Sequence, residues 1–183
     1  YRDSELYNTI SDLFRKSSGT NHITVGLVWQ KDETESIGEF GQNENVRIID
    51  VPWEKSTGLG WARSLTQSLY GGEDYTLQLD SHHRFAPNWD STLISMINSL
   101  DGSKYKPLLT SYAAGYDPET NILHNDIACQ ILPHDFKKSG TIWFNPSGIP
   151  NYISLTAPIR ARFVSGHYFF TYGSHCEKLY SRI

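Results

Sequence analysis

Asp80, Ser81 and His82 set a carboxylate and an imidazole two positions apart, with a second imidazole following at His83. Both groups are ligands for a divalent cation such as Mn2+ or Mg2+, whose remaining positions would go to water and to phosphate oxygens of a substrate. An ion held in that way neutralises a leaving diphosphate. Spacing alone is a weak signal, because an isolated Asp-x-His is more often a loop cap beside a surface histidine. Arg63 is the next candidate, since a guanidinium can form paired hydrogen bonds to the Asp80 carboxylate or to phosphate; a solvated helix face is the alternative. Gly58 and Gly60 flank the start of the same helix, where bare backbone N–H groups could meet an anion. Gln30 closes an apolar run and its amide could bond a base edge, although an amide at a strand end is more often structural. His124, His134, His167 and His175 have no ligand spacing among themselves.

The elements that must position these groups follow from periodicity. Tyr75, Leu77 and Leu79 alternate with Thr76 and Gln78, which predicts a strand ending at Asp80. Pro87-Asn88-Trp89-Asp90 then predicts a helix start, with Trp89, Leu93, Met96, Ile97 and Leu100 on one face. Asp80 and His82 thus fall in a strand-to-helix loop, the end of an open α/β sheet where ligands bind. Upstream, Glu5 to Lys16 reads as a helix with Leu6, Ile10, Leu13 and Phe14 inward, Asp3 or Ser4 as cap, and Gly19 beyond its end. His22 to Gln30 is almost continuously apolar and β-branched, as expected of a strand covered on both faces. Lys31 to Asn45 is polar and acidic and reads as a surface loop, Val46 to Val51 as a short strand closed by Pro52, and Gly58 to Tyr70 as a helix stopped by Gly71-Gly72. A strand at Lys106 to Ala113 completes an alternation that favours an α/β sandwich with a mainly parallel sheet. After Tyr116 the pattern becomes irregular, with β-like pieces at Ile127 to Leu132, Gly140 to Phe144 and Arg160 to Phe170.

Composition narrows the function classes. The 183 residues suit one domain, long enough to bury a core, and nothing suggests a second. A net charge of −4 with dispersed Lys and Arg argues against a nucleic-acid partner, though not against one nucleotide held with a cation. The 13% aromatic content suits core packing or a groove that stacks flat ligands. Two cysteines, Cys129 and Cys176, are too few for a disulfide framework and point to a reducing, cytoplasmic setting. No stretch is apolar for long enough to span a bilayer.

Read together, Gly58-Leu59-Gly60-Trp61-Ala62-Arg63-Ser64-Leu65, Leu69-Tyr70-Gly71-Gly72-Glu73-Asp74-Tyr75, Leu77-Gln78-Leu79-Asp80-Ser81-His82, Arg84-Phe85 and Trp89-Asp90 resemble one family. It is the GlcNAc-transferase family typified by the enzyme that modifies hydroxyproline on Skp1. Tyr1-Arg2-Asp3-Ser4-Glu5-Leu6 with Thr9-Ile10, Gly26-Leu27-Val28-Trp29-Gln30, and Leu109-Thr110-Ser111-Tyr112 with Gly115-Tyr116 match as well, so ordered blocks run from Tyr1 to Tyr116. The Asp-Ser-His element is also similar to that of the polypeptide GalNAc-transferases. The resemblance implies a glycosyltransferase-A-like, Rossmann-like three-layer sandwich that moves a sugar, GlcNAc first among the choices, from a UDP-sugar to a hydroxyl acceptor on a protein or glycan, with retention of anomeric configuration. It implies that Asp80 and His82 carry Mn2+ or Mg2+ on the diphosphate, that Arg63, Gly58 and Ser81 support the donor site, and that Tyr1, Arg2 and Gln30 border the uracil pocket. The resemblance further implies one domain with a nucleotide-sugar-binding half over residues 1–116 and a truncated acceptor-side half over residues 117–183, and it implies no protein nucleophile.

The family pattern also predicts a strand ahead of Tyr1, and an acidic Gly-Glu-Glu-like motif and a late metal-binding His after the region Ala161 to Phe170. The last stretch, from Ser174-His175-Cys176-Glu177-Lys178-Leu179 to Ile183, lacks those later elements, which reads as a truncated domain that could be inactive as it stands, with His167 or His175 as the remaining choices for a third ligand. Two other functions fit the residues: a metal-dependent phosphoesterase built on Asp-x-His-His, and a sugar-nucleotide-binding module without turnover.

Overall fold

A computed structural model describes residues 2–100, 106–124 and 127–180. The first helix, α1 (Leu6–Arg15), turns Ile10 and Leu13 inward as its apolar spacing dictates. Asp3 acts just ahead of it, accepting the N–H of Glu5 at 3.0 Å. Strands β1 (Val25–Lys31) and β2 (Val46–Pro52) pair in parallel, Val25 opposite Val46. Their alternate side chains serve two clusters. Val25, Leu27 and Trp29 pack with Ile10 and Phe40 on one face, whereas Val28 and Val51 meet Ala62 on the other.

The segment between β1 and β2 is more than the surface loop its polarity predicts. A short 3-10 turn, Gly38–Gln42, seats Phe40, and neighbouring Ile37, in the cluster beneath α1. Two apolar residues in a polar stretch set no period, yet burying each contributes about 1.5–3 kcal/mol.

The helix α2 (Leu59–Gln67), the strand β3 (Tyr75–Leu79) and the helix α3 (Trp89–Asn98) follow in the expected order, and β4 is only Leu108–Thr110. Next, β5 (Cys129–Phe136) and β6 (Ile142–Gly148) form an antiparallel hairpin that tolerates Pro133 and Pro146 because no third described strand needs their missing N–H groups. The chain closes with β7 (Tyr168–Tyr172) and the short helix α4 (Ser174–Tyr180).

The sheet corrects the expectation of mainly parallel strands. Among the described strands only β1 and β2 pair in parallel; β7 enters between β3 and β4 and runs antiparallel to both. The strand expected over Arg160 to Phe170 starts only at Tyr168, and its Phe169, Phe170 and Thr171 are buried where they complete the sheet. Helices cover both faces. Leu93 and Ile97 of α3 pack on Leu109 and Phe170, while Cys176 of α4 reaches Thr76, which points to the opposite side from Tyr75 and Leu77.

Two buried carboxylates hold the helices to the sheet ends. Asp12 accepts the Phe85 N–H at 2.8 Å and the Lys16 ammonium at 3.2 Å, and Asp90 accepts from Ser18 N and Asn21 Nδ2, both at 2.8 Å. Burial pushes both carboxyls up, but these bonds outweigh it and hold each below its ordinary value of 3.8. Because the folded value lies under the unfolded one, this stabilisation is fully present above pH 3.8 and is lost as pH falls through the folded values. A melting series from neutral to acid pH should show that loss. The Asp90→Asn variant should lose less stability than the parent over the same acid range, and parallel profiles would contradict the assignment.

Candidate active site

Strand β3 delivers Asp80 to the sheet's end, where its N–H donates to His167 O at 3.3 Å. Arg63 arrives from α2 and places Nη2 3.2 Å from Asp80 Oδ1. Gly166 makes room for it, since a Cβ there would stand 2.8 Å from Arg63 Nη1. Both partners are about one-third exposed, so the pair contributes only about 0.2–1 kcal/mol and either group can turn to an incoming anion or cation.

His82 is oriented by a residue far away in sequence. Its Nδ1 lies 2.7 Å from Asp3 Oδ2, and Ser81 Oγ donates to the same oxygen at 2.7 Å. Burial raises the Asp3 carboxyl, but the bonds from His82, Glu5 N–H and Ser81 more than offset it and hold the group lowered and anionic. A carboxylate on Nδ1 fixes the tautomer that leaves Nε2 as the free lone pair, the arrangement found behind metal-binding histidines. The His82 side chain is 57% exposed, which leaves that nitrogen open to a ligand. The bond from Asp3 to His82 is what sequence reasoning misses, because a cap is the simplest role for an Asp ahead of a helix.

The other histidines separate by place. His83 is buried, turns Nδ1 to Asp80 O at 2.9 Å and stacks on Tyr168; burial pushes its pKa down, which marks it as packing. His167 lies on the Asp80 side, bonded to Ser165 Oγ and edge-on to Tyr112 at 4.6 Å, and burial lowers it too. His175 is instead on α4, edge-on to Phe169. Among the described residues no three His, Cys, Asp or Glu side chains gather as a metal cluster, so neither histidine completes a three-ligand set. Asp80 and His82 are the residues here that could offer donors to a divalent cation, the Asp80 carboxylate being the donor type that Mg2+ and Mn2+ favour.

A second group of expected residues sits at the neighbouring strand end. Gln30 is buried, and its Oε1 has no hydrogen-bond partner among the described residues. A buried acceptor left unpaired costs about 1–3 kcal/mol, which a ligand N–H would relieve. Arg2 donates its backbone N–H to Gln30 O at 3.0 Å, and its guanidinium pairs with Glu35 at 3.0 Å and lies over Trp53. The segment Arg2–Asp3 therefore bridges the ends of β1 and β3. At the start of α2, Gly58 has φ +110°, and Gly58 and Gly60 both face open space. Tyr1 lies outside the described residues.

A family model described as Glycosyltransferase (GlcNAc) matches residues 38–179. Neither a curated protein nor a solved structure matches the chain.

Proposed function

The chain belongs to the GlcNAc glycosyltransferase family, and from that premise we propose that it transfers a sugar from a UDP-sugar, UDP-GlcNAc first, to a hydroxyl acceptor on a protein or glycan. The observation that carries the reading is the convergence of two complementary groups on the bridge Arg2–Asp3. At one end is Gln30 Oε1, without a partner among the described residues and suited to the N–H of a uracil edge; at the other is the Asp80/His82 pair, suited to a cation on a diphosphate. When bound, the divalent cation would supply charge neutralisation for the departing diphosphate.

The chain's own residues divide the remaining work. Asp80 and the Nε2 of His82 would hold the cation, with Ser81 and Asp3 keeping the imidazole in place. Arg63, released from its shallow pair with Asp80, would add a second positive charge where negative charge grows on UDP. The open start of α2 at Gly58 and Gly60 would leave backbone N–H groups for phosphate oxygens. Retention of configuration would follow from acceptor attack on the face that the diphosphate leaves. A cytoplasmic setting belongs to the same proposal; among the described residues no helix is long and apolar enough to cross a membrane.

Incubating the protein with UDP-GlcNAc and Mn2+ and following UDP release tests the activity. Release above a buffer control, lost on adding a chelator, is the expected result. UDP binding without any release would instead favour a sugar-nucleotide-binding module.

A further inference from the structure

The loop that carries Asp80 and His82 is held along one polar stripe of α1. Glu5, just ahead of the helix, and Thr9 and Asp12 within it follow one another at helical spacing and so share a face. Each meets the loop at a different point. Glu5 takes the Arg84 guanidinium and Asp12 takes the Phe85 N–H at 2.8 Å, while Thr9, between them, lies against the backbone on both sides of His82. Thr9 is only 2% exposed. A threonine inside a helix commonly turns its hydroxyl back to the carbonyl four residues earlier, as Thr66 does with Ala62 O at 3.0 Å. Thr9 turns its hydroxyl out of the helix instead. Its Oγ1 donates to Ser81 O at 2.7 Å, with His83 O farther off at 3.3 Å, and accepts the His83 N–H at 3.0 Å.

Ser81 O belongs to the peptide unit ahead of the His82 Cα, and His83 N to the unit after it. Peptide units are rigid planes, so one hydroxyl bonded to both fixes the two backbone angles of His82. We propose that Thr9 is a positioning residue for the cation pair: it sets the backbone of His82, and Asp3 then sets the ring. The inference rests on the reading of Asp80 and His82 as donors to a cation. The exposed His82 side chain gains little direction from packing, so where its Nε2 points depends on how its Cα is held and on the Asp3 bond. A divalent cation of the Mg2+ type demands near-ideal donor geometry, which makes a displaced imidazole a poor ligand. The same hydroxyl also steadies Ser81, whose Oγ shares the Asp3 carboxylate with His82.

The test compares the parent with three variants of the full chain: Thr9→Val, which keeps the branched shape and loses the hydroxyl; Thr9→Ser, which keeps the hydroxyl; and Ile10→Val, which trims the core beneath the same helix. Amide hydrogen exchange at His83 and UDP affinity, with Mn2+ and in chelator, are read in each. In Thr9→Val the His83 N–H loses its acceptor, so its exchange should speed up by about tenfold or more. Metal-dependent UDP affinity should fall by about tenfold or more as well, as expected when a group that supports a metal ligand is lost. Thr9→Ser should match the parent in both, and Ile10→Val should lower the melting temperature while keeping UDP affinity. Unchanged His83 exchange in Thr9→Val overturns the proposal, as does parent-level UDP affinity in that variant. An equal loss of affinity in Ile10→Val overturns it too, because Thr9 would then serve stability alone. A parent that binds no UDP in Mn2+ fails earlier, at the proposed function, and takes this inference with it.

Discussion

Asp80→Ala should abolish metal-dependent UDP binding while leaving the fold intact. The carboxylate is one of two protein donors proposed for the cation, and its ion pair with Arg63 is too exposed to hold the structure together. Removing it takes away a charged ligand and also leaves Arg63 without its resting partner. Affinity for UDP in Mn2+ should fall by roughly 100-fold or more, as expected when a metal ligand rather than its support is lost. Binding without Mn2+ should change little, and the melting temperature should stay within a few degrees of the parent for a partly exposed substitution. Titration calorimetry of parent and variant, with and without Mn2+, reads both effects; full-strength binding by the variant would refute the role of Asp80.

Asp3→Asn should weaken the same metal-dependent binding by about 10–100-fold, the usual cost of losing the carboxylate behind a metal-binding imidazole. Asn keeps an acceptor for the Glu5 N–H, so the start of α1 should hold. Asn lacks the charge that favours an N–H at His82 Nδ1, so the imidazole should lose its fixed tautomer. Nitrogen chemical shifts of the His82 ring separate this role from a structural one. A parent spectrum with protonated Nδ1 and bare Nε2, changing to a tautomer mixture in the variant, is the expected outcome. Weakened binding with an unaltered ring spectrum would assign Asp3 to the fold alone.

The sequence reading succeeds where the physics is local. The alternation of Tyr75, Leu77 and Leu79 and the helical spacing of Ile10 and Leu13 are periods that burial enforces, and the strand and helix stand where those periods put them. Arg63 meets Asp80 as expected, because an α2 helix that ends shortly before β3 must pack beside it. The misses are long-range. Nothing in Tyr168–Tyr172 states that it enters between β3 and β4, and the antiparallel pairing of Leu77 with Phe170 depends on a loop of more than eighty residues closing. Asp3 and His82 are 79 positions apart, so their bond is invisible to any local pattern. Ile37 and Phe40 are similar, since their burial depends on α1 already lying above them. For Gln30 the residue type is legible, but that its Oε1 finds no partner among the described residues emerges only once the strand end is buried.

UDP titration of the parent protein with Mn2+ and then in chelator tests the central claim most directly. Saturable binding that weakens by roughly 100-fold when the cation is removed is the predicted result. Absence of UDP binding in either condition would contradict the assignment of Asp80, His82 and Gln30 to a nucleotide-sugar site.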